Sequence, residues 1–285
     1  DTATASAKNP LTIVTGNVGA TGNRNFGYIG GGQPGPISTI NRIDFSDETV
    51  SAVGNLETAS QFLAATGNTS FGYFVGGFSP TMSRVQRVDY SNDGVTTSPK
   101  GNLSAAAYRL SAAGNSNFGY VTGGNSTSLT TVQRIDYSND TATAAVKGDL
   151  YRGRYAHGQT GSSSFGYAGG GHRGGYDSSD VISLMDRIDY SNDTATATAK
   201  GNLTGNRMDM GATSSQENGL PLPSLIPRIR WIDSVAEVPA EGPAYGYIAG
   251  GRTSSANVSI VDRIDFSSDT STASPKGNLT DTTTR

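Results

Sequence analysis

The chain has 285 residues, 21 basic and 24 acidic, for a net charge of −3, with no cysteine and only 34% hydrophobic residues. This balance supplies no field to hold nucleic acid or an anionic membrane, and the missing thiols exclude disulfides, thiolate nucleophiles and Cys-ligated metal centres. Its 38 glycines favour turns, while 13 Tyr and 9 Phe at regular spacing argue against disorder.

In chain order, Asp1-Thr2-Ala3-Thr4-Ala5 copies Asp193 to Ala197, so the sequence opens inside a repeat unit, without Met or signal peptide, and residues 1–11 read as an extra outer strand. Next come an aromatic-Gly-Tyr core, a Gly pair, an Arg-(Ile/Val)-Asp-aromatic strand, a Ser-Asn-Asp-like turn and a Thr-rich run ending in Leu. The core recurs at Phe26, Phe71, Phe118, Phe165 and Tyr245, the first four times 15 residues after Leu11, Leu56, Leu103 and Leu150. From Leu203 the same step lands on Asn218-Gly219-Leu220, which reads as a worn copy. Six repeats are therefore expected, over about 12–56, 57–103, 104–150, 151–203, 204–233 (degenerate) and 234–279, in one domain spanning 1–285.

Each unit offers four short strand candidates, for example Tyr108 to Gly114, Phe118 to Thr122, Thr131 to Tyr137 and Thr141 to Lys147, divided by turn clusters. No apolar 3.6-residue period with caps accompanies them, so helix is expected to be nearly absent. Four strands per 40–50 residues predict an all-β propeller of about six four-stranded blades, one degenerate. Ala105, Ala106, Ala107, Ala112 and Ala113 suit a crowded axial strand, and Gly119 leaves room for a neighbouring blade's aromatics. Arg134 shares a face with Asp136, which points to Arg–carboxylate pairs between blades.

These residues resemble the kelch repeat of β-propellers: the Gly pair and third-strand aromatic match, while the family's fourth-strand Trp is missing near Thr141 or Thr143. More narrowly, Asn115 to Gly124 and Arg134 to Ala144 are similar to repeat proteins encoded by marine tailed phages, including those infecting cyanobacteria. The resemblance implies a non-enzymatic virion structural or fibre-associated module. Its expected partners are other virion proteins or a host-surface glycan or protein, with no nucleic acid, no membrane insertion and no cofactor. A lectin-like propeller is the alternative, and a glycan-active enzyme a more distant one. The surplus end strand could pair with a second copy to give a homo-oligomer.

Departures from the repeat mark candidate sites, because loops on a rigid scaffold carry binding. The fourth repeat has the longest loop between its second and third strands, 22 residues from Phe165 to Arg187 against 16 from Phe118 to Arg134. His172, Arg173 and Tyr176 in it, with Tyr151, Arg152, Arg154, Tyr155 and His157 just before it, form the candidate ligand site, aromatic faces for sugar rings and guanidinium donors. Leu220, Leu222, Leu225, Ile226 and Trp231, among several prolines, read either as a partner-docking patch or as filler for a shortened blade. Asp-x-Ser-x-Asp spacings such as Asp136/Ser138/Asp140 fit Asx turns, with a calcium site as the other reading. Two histidines alone leave few conventional metal sites, and none is expected.

Overall fold

The computed structural model describes residues 3–125, 130–174, 180–214 and 245–281. Blade 1 comprises β1 (Gly19–Gly22), β2 (Phe26–Gly30), β3 (Ile37–Asp44) and β4 (Val50–Ser60). Blade 2 comprises β5 (Ala64–Gly67), β6 (Phe71–Val75), β7 (Val85–Asp89) and β8 (Ser98–Pro99). Blade 3 holds β9 (Ser111–Gly114), β10 (Phe118–Thr122), β11 (Thr131–Asp136) and β12 (Ala145–Asp149), and blade 4 holds β13 (Gly158–Gly161), β14 (Phe165–Gly169), β15 (Leu184–Asp189) and β16 (Thr198–Asn202). Blade 5 holds β17 (Gly211–Ser214), β18 (Tyr245–Ala249), β19 (Ile260–Asp265) and β20 (Ser274–Asn278). Each blade is an antiparallel meander in chain order, and the first strands β1, β5, β9, β13 and β17 follow one another around the axis, as in a β-propeller.

The described residues form a ring of five blades, not six. Every first strand begins eight residues after the consensus Leu, and Leu203 keeps that step to Gly211. What changes is the number of residues between first and second strands, three in blades 1–4 (23–25, 68–70, 115–117, 162–164) and the stretch 215–244 in blade 5. Gly246 pairs with Ser214 and Ala249 with Gly211, so the described part of the stretch read as a worn blade supplies the first strand of blade 5, and its remainder, 215–233, lies outside the described residues. A fixed step from Leu cannot tell which strands pair; the register can.

Strand limits also differ. The axial strand of blade 3 is only Ser111–Gly114; Ala105 and Ala106 are exposed on the connection before it, and Ala107 is buried there. The fourth strand starts at Ala145 because Tyr137–Asn139 forms a 3-10 turn first, capped by the Asp136 carboxylate on the Ser138 N–H at 2.9 Å. The same Asx turn recurs at Asp89, Asp189 and Asp265, each also accepting the serine hydroxyl at 2.6–2.7 Å. The recurrent Asp-x-Ser spacing is thereby accounted for by hydrogen bonds.

The last Asp of each spacing turns inward and joins blades. Asp140 Oδ2 accepts from Tyr73 Oη at 3.0 Å and Arg87 Nη1 at 2.8 Å of the preceding blade, and Lys100 Nζ lies 3.4 Å from Oδ1. Asp93, Asp193 and Asp269 hold Tyr28/Arg42, Tyr120/Arg134 and Tyr167/Arg187 in the same way. Arg–carboxylate pairs between blades are present, but through these turn aspartates rather than Asp136 and its equivalents. Burial, reinforced by the aspartate, pushes the Tyr73 phenol far up, so it remains a donor. Beneath each clamp two rings stack across the interface, Tyr28–Tyr90, Tyr73–Tyr137, Tyr120–Tyr190 and Tyr167–Phe266, with centroids 4.3–4.9 Å apart.

The invariant glycine between the two aromatics follows from this stack. A Cβ on Gly119 would stand 2.5 Å from Thr66 Cγ2 of blade 2 and 2.7 Å from Tyr137 Oη of its own blade. The hollow is thus filled by the ring that follows the blade's own third strand and a threonine of the preceding blade, not by the next blade's aromatics.

Among the described residues, blade 1's own turn supplies no such aspartate. Its turn from Arg42 to Leu56 is two residues shorter than that from Arg134 to Leu150, and Glu48 stands in the aspartate's place, exposed and paired with Lys8 at 2.7 Å. The N-terminal segment substitutes at the rim. Ala5 N donates to Asn278 O at 2.9 Å, the bond that Thr97, Ala144, Ala197 and Ala273 make to Asn55, Asn102, Asp149 and Asn202 between the other blades. β20 stays in its sheet, and among the described residues 3–11 form no strand, contrary to the extra outer strand expected there.

Candidate functional site

At the propeller end bearing the connections between blades, each chain crossing places one residue in the left-handed region: Asn17, Phe62, Arg109, Ala156 and Asp209, all with φ of 56–57°. Their backbones are strung together around the channel mouth, since Phe62, Arg109, Ala156 and Asp209 each donate N–H to the carbonyl of the one before at 2.7–2.9 Å. Because all five share it, this conformation is part of the architecture.

The preceding residues, Gly16, Gln61, Tyr108, Tyr155 and Met208, bridge to Gln33, Phe78, Asn125, His172 and Arg252 on the loops between second and third strands. Aligning the five copies therefore gives three concentric sets of positions, and the residue types differ from blade to blade in each. Blade 1 presents Gly16, Asn17 and Gln33; blade 2 Gln61, Phe62 and Phe78; blade 3 Tyr108, Arg109 and Asn125; blade 4 Tyr155, Ala156 and His172; blade 5 Met208, Asp209 and Arg252.

These side chains form a continuous arc. The Tyr108 ring lies 4.9 Å from Phe78 and 6.2 Å from Phe62, and Asn125 Nδ2 donates to Tyr108 Oη at 2.8 Å. The Arg109 guanidinium sits 4.8 Å from the Phe62 ring and 5.8 Å from the Tyr155 ring, bridging blades 2 and 4. Tyr155 stacks on His172 at 5.0 Å, and Arg252 Nε donates to Asp209 at 2.8 Å. Burial, helped by Arg252, Arg109 and Arg173 and opposed by Asp180, lowers the pKa of His172, which is therefore neutral at pH 7. Phe78 is 39% exposed.

The opposite end contrasts with this. In blades 1–4 the first hairpin turns on Asn23, Asn68, Asn115 or Ser162, each accepting the backbone N–H groups two and three residues on, and the hairpins between third and fourth strands carry the clamps. Between the ends runs a channel of about 590 Å³, walled by small residues such as Ala20, Ala65, Ala112 and Ala212 and extending outward between blades 1 and 5 past Phe45.

The sequence candidates divide accordingly. Tyr155 and His172 belong to the arc. Tyr151 is 54% exposed, and Arg152 and Arg173 line a separate depression of about 300 Å³ at the same end. Arg154 is fully buried, its Nη2 2.8 Å from Asp186, with Nη1 bonded to the Leu184 and Gly170 carbonyls. Burial raises the pKa of Asp186 and lowers that of Arg154, and each charge offsets the other. The pair is a strut, matched in blade 5 by Arg207 and Asp262 and replaced in blade 3 by Ala107 and Gln133.

His157 occupies the core position of Leu63, Leu110 and Met210, its Nε2 2.8 Å from the Thr122 hydroxyl. Tyr176, Leu220, Leu222, Leu225, Ile226 and Trp231 lie outside the described residues. Phe62, Phe78, Tyr108, Arg109, Asp209 and Arg252 were not expected from sequence; alignment of the copies just before each axial strand carries the signal.

No cluster of three His, Asp or Glu side chains able to hold a metal ion occurs among the described residues, and no helix among them is long and apolar enough to cross a membrane. No family model matches the chain, and comparison with curated proteins finds no relative.

Proposed function

We propose that this propeller is a non-catalytic binding module whose ligand face is the arc of Phe62, Phe78, Tyr108, Arg109, Tyr155 and Arg252. The observation that carries the reading is the segregation of variation. One frame repeated five times keeps its blade-joining chemistry at one end, with four clamps among the described residues, and diversifies, with aromatic and guanidinium side chains, at the other. Rigid aromatic faces beside planar donors suit a sugar ring or a protein loop. Taken with the resemblance of its repeats to kelch propellers and to virion repeat proteins of tailed phages, this supports a virion structural or fibre-associated module that attaches to a host surface or to a neighbouring virion protein.

The test is binding of fluorescently labelled protein to envelopes of candidate host cells. Substituting Phe78→Ala together with Tyr155→Ala is expected to lower binding at least tenfold with the melting temperature little changed. Equal binding by a folded double variant overturns the assignment of the face. Immunogold labelling of the native particle tests the virion placement; absence of label from purified particles overturns it.

A further inference from the structure

We propose that the depression between Arg152, Arg173, Asn202 and Asn206 is an anion subsite that takes the carboxylate- or sulfate-bearing ring of an acidic glycan. The inference rests on the binding role proposed above and names its ligand class. The depression measures about 300 Å³ at the varied end, with Val181, Ile182, Ser183 and Leu184 completing its wall.

Three departures from the repeat meet there. Arg152 stands where the other copies have Ile13, Thr58, Ala105 and Gly205; Asn206 stands where they have Val14, Ala59, Ala106 and Gly153; and Arg173 follows the loop bridge where Pro34, Ser79 and Thr253 occur. Two come from different parts of blade 4 and one from the connection into blade 5, so a run of unusual sequence does not account for their convergence.

The backbone beneath is fixed. Arg152 N donates to Asp186 Oδ2 at 3.1 Å, its carbonyl accepts from Arg154 Nε at 3.2 Å, and Arg154 ties the facing wall through the Leu184 carbonyl at 2.7 Å. The wholly buried Arg154–Asp186 pair thus holds both sides of the depression in register. On the far side Arg173 Nη2 lies 3.4 Å from Asp180, and Ile182 N donates to the Gly171 carbonyl at 3.0 Å.

Among the described residues no carboxylate lines the depression, Asp180 pairing with Arg173 from outside it, and Arg152 has no ion-pair partner. A guanidinium fork in that setting selects a planar carboxylate or a sulfate over a neutral group. The amides of Asn202 and Asn206 both donate and accept, which matches ring hydroxyls, and the volume is at the lower end for small-molecule sites, room for one ring rather than a peptide strand. Because Arg152 is solvent-exposed, the interaction is weak per site and sensitive to salt.

Binding of the whole protein to polygalacturonate, dextran sulfate, neutral dextran and polyglutamate, by titration calorimetry at low salt, tests this. One of the two acidic polysaccharides is expected to bind at least about tenfold more tightly than dextran, the better of them identifying carboxylate or sulfate. Arg152→Gln and Arg173→Gln are each expected to weaken that binding about five- to tenfold, and Arg24→Gln at the opposite end to leave it unchanged. Equal affinity for dextran, no binding of either acidic polysaccharide, or unchanged binding in a folded Arg152→Gln/Arg173→Gln variant overturns the anion subsite. Polyglutamate bound as tightly as the better polysaccharide overturns the glycan assignment in favour of an acidic protein. If cell binding still depends on Phe78 and Tyr155 while the acidic polymers fail, only this inference falls; if that dependence is absent, the broader reading falls with it.

Discussion

The two ends of the propeller are built from the same strands and differ in what their side chains are committed to. At the hairpin-turn end, Asp140 and its three equivalents each join a phenol and a guanidinium of the preceding blade, so residue identity there is a condition of blade packing. At the connection end, blades are joined largely by backbone bonds, such as those linking Phe62, Arg109, Ala156 and Asp209, and side chains are released from holding the ring. A repeat protein can therefore diversify one end without unfolding, and this chain has done so.

The largest test of this contrast is the clamp. Asp140→Ala leaves a buried phenol and a guanidinium without their acceptor, and a loss of about 3–5 kcal/mol in unfolding free energy is expected by denaturant titration. Glu48→Ala at the equivalent position of blade 1 removes only a pair whose side chains are 51% and 56% exposed, so the expected change is below about 1 kcal/mol. Similar losses in the two variants would show that the clamp is not what joins the blades.

The strut at the varied end sharpens the rule, because Arg154 departs from the repeat yet serves the frame. Asp186→Ala alone should cost about 3–5 kcal/mol by stranding the buried guanidinium. Asp186→Gln combined with Arg154→Ala rebuilds the Ala107/Gln133 arrangement of blade 3, where Gln133 Oε1 accepts the Ser104 N–H at 2.7 Å. Most of the loss should be recovered, leaving about 1 kcal/mol. A double variant as unstable as Asp186→Ala would mean that blade 4 cannot accept its neighbour's solution.

A smaller effect separates a full interface from the seam between blades 5 and 1. Gly119→Ala drives a methyl into Thr66 and Tyr137 and should cost about 1–3 kcal/mol. Gly27→Ala meets the Phe45 ring at 3.0 Å, but that ring is 55% exposed and can swing outward, so a change below about 1 kcal/mol is expected. Matching melting temperatures for the two variants would place equal packing at the seam.

Much of the frame was legible in sequence because one physical requirement is written five times: a glycine under a ring, a guanidinium beside it, a Gly pair where the chain passes close. Gly77, at φ +114°, donates its N–H to the Ala107 carbonyl of the next connection, and a Cβ there would run into Ser60. The blade number is not legible, because two strands that pair directly, Gly211–Ser214 and Tyr245–Ala249, stand far apart in sequence. The candidate site was half legible. Composition singled out Tyr155, His172, Arg152 and Arg173, but Arg154 and His157 belong to the same aromatic and basic cluster while pointing inward. Whether an arginine meets solvent or a buried aspartate depends on residue 186, more than thirty positions away, and no local pattern reports it.

The smallest effects come from titration, and they assign different pH ranges to the two ends. The serine side-chain bonds to Asp89, Asp136, Asp189 and Asp265, aided by backbone N–H groups, hold these carboxyls below their ordinary value. A carboxyl lowered in the folded state adds stability that is present above the unfolded value of about 3.9 and disappears as pH falls through the lower folded one. Each contribution is small because the groups are largely exposed to water. His172 is lowered as well, chiefly by burial, so the unfolded chain takes up its proton first and stability begins to fall below about pH 6.5. Thermal melts across pH 3–8 should therefore show a shallow upper limb and a steeper lower one. His172→Asn, the residue type at the equivalent position 125, should flatten only the upper limb, and Ser138→Ala with Ser191→Ala should soften only the lower. If His172→Asn left the upper limb intact, the neutral imidazole would not be the group through which the varied end responds to pH.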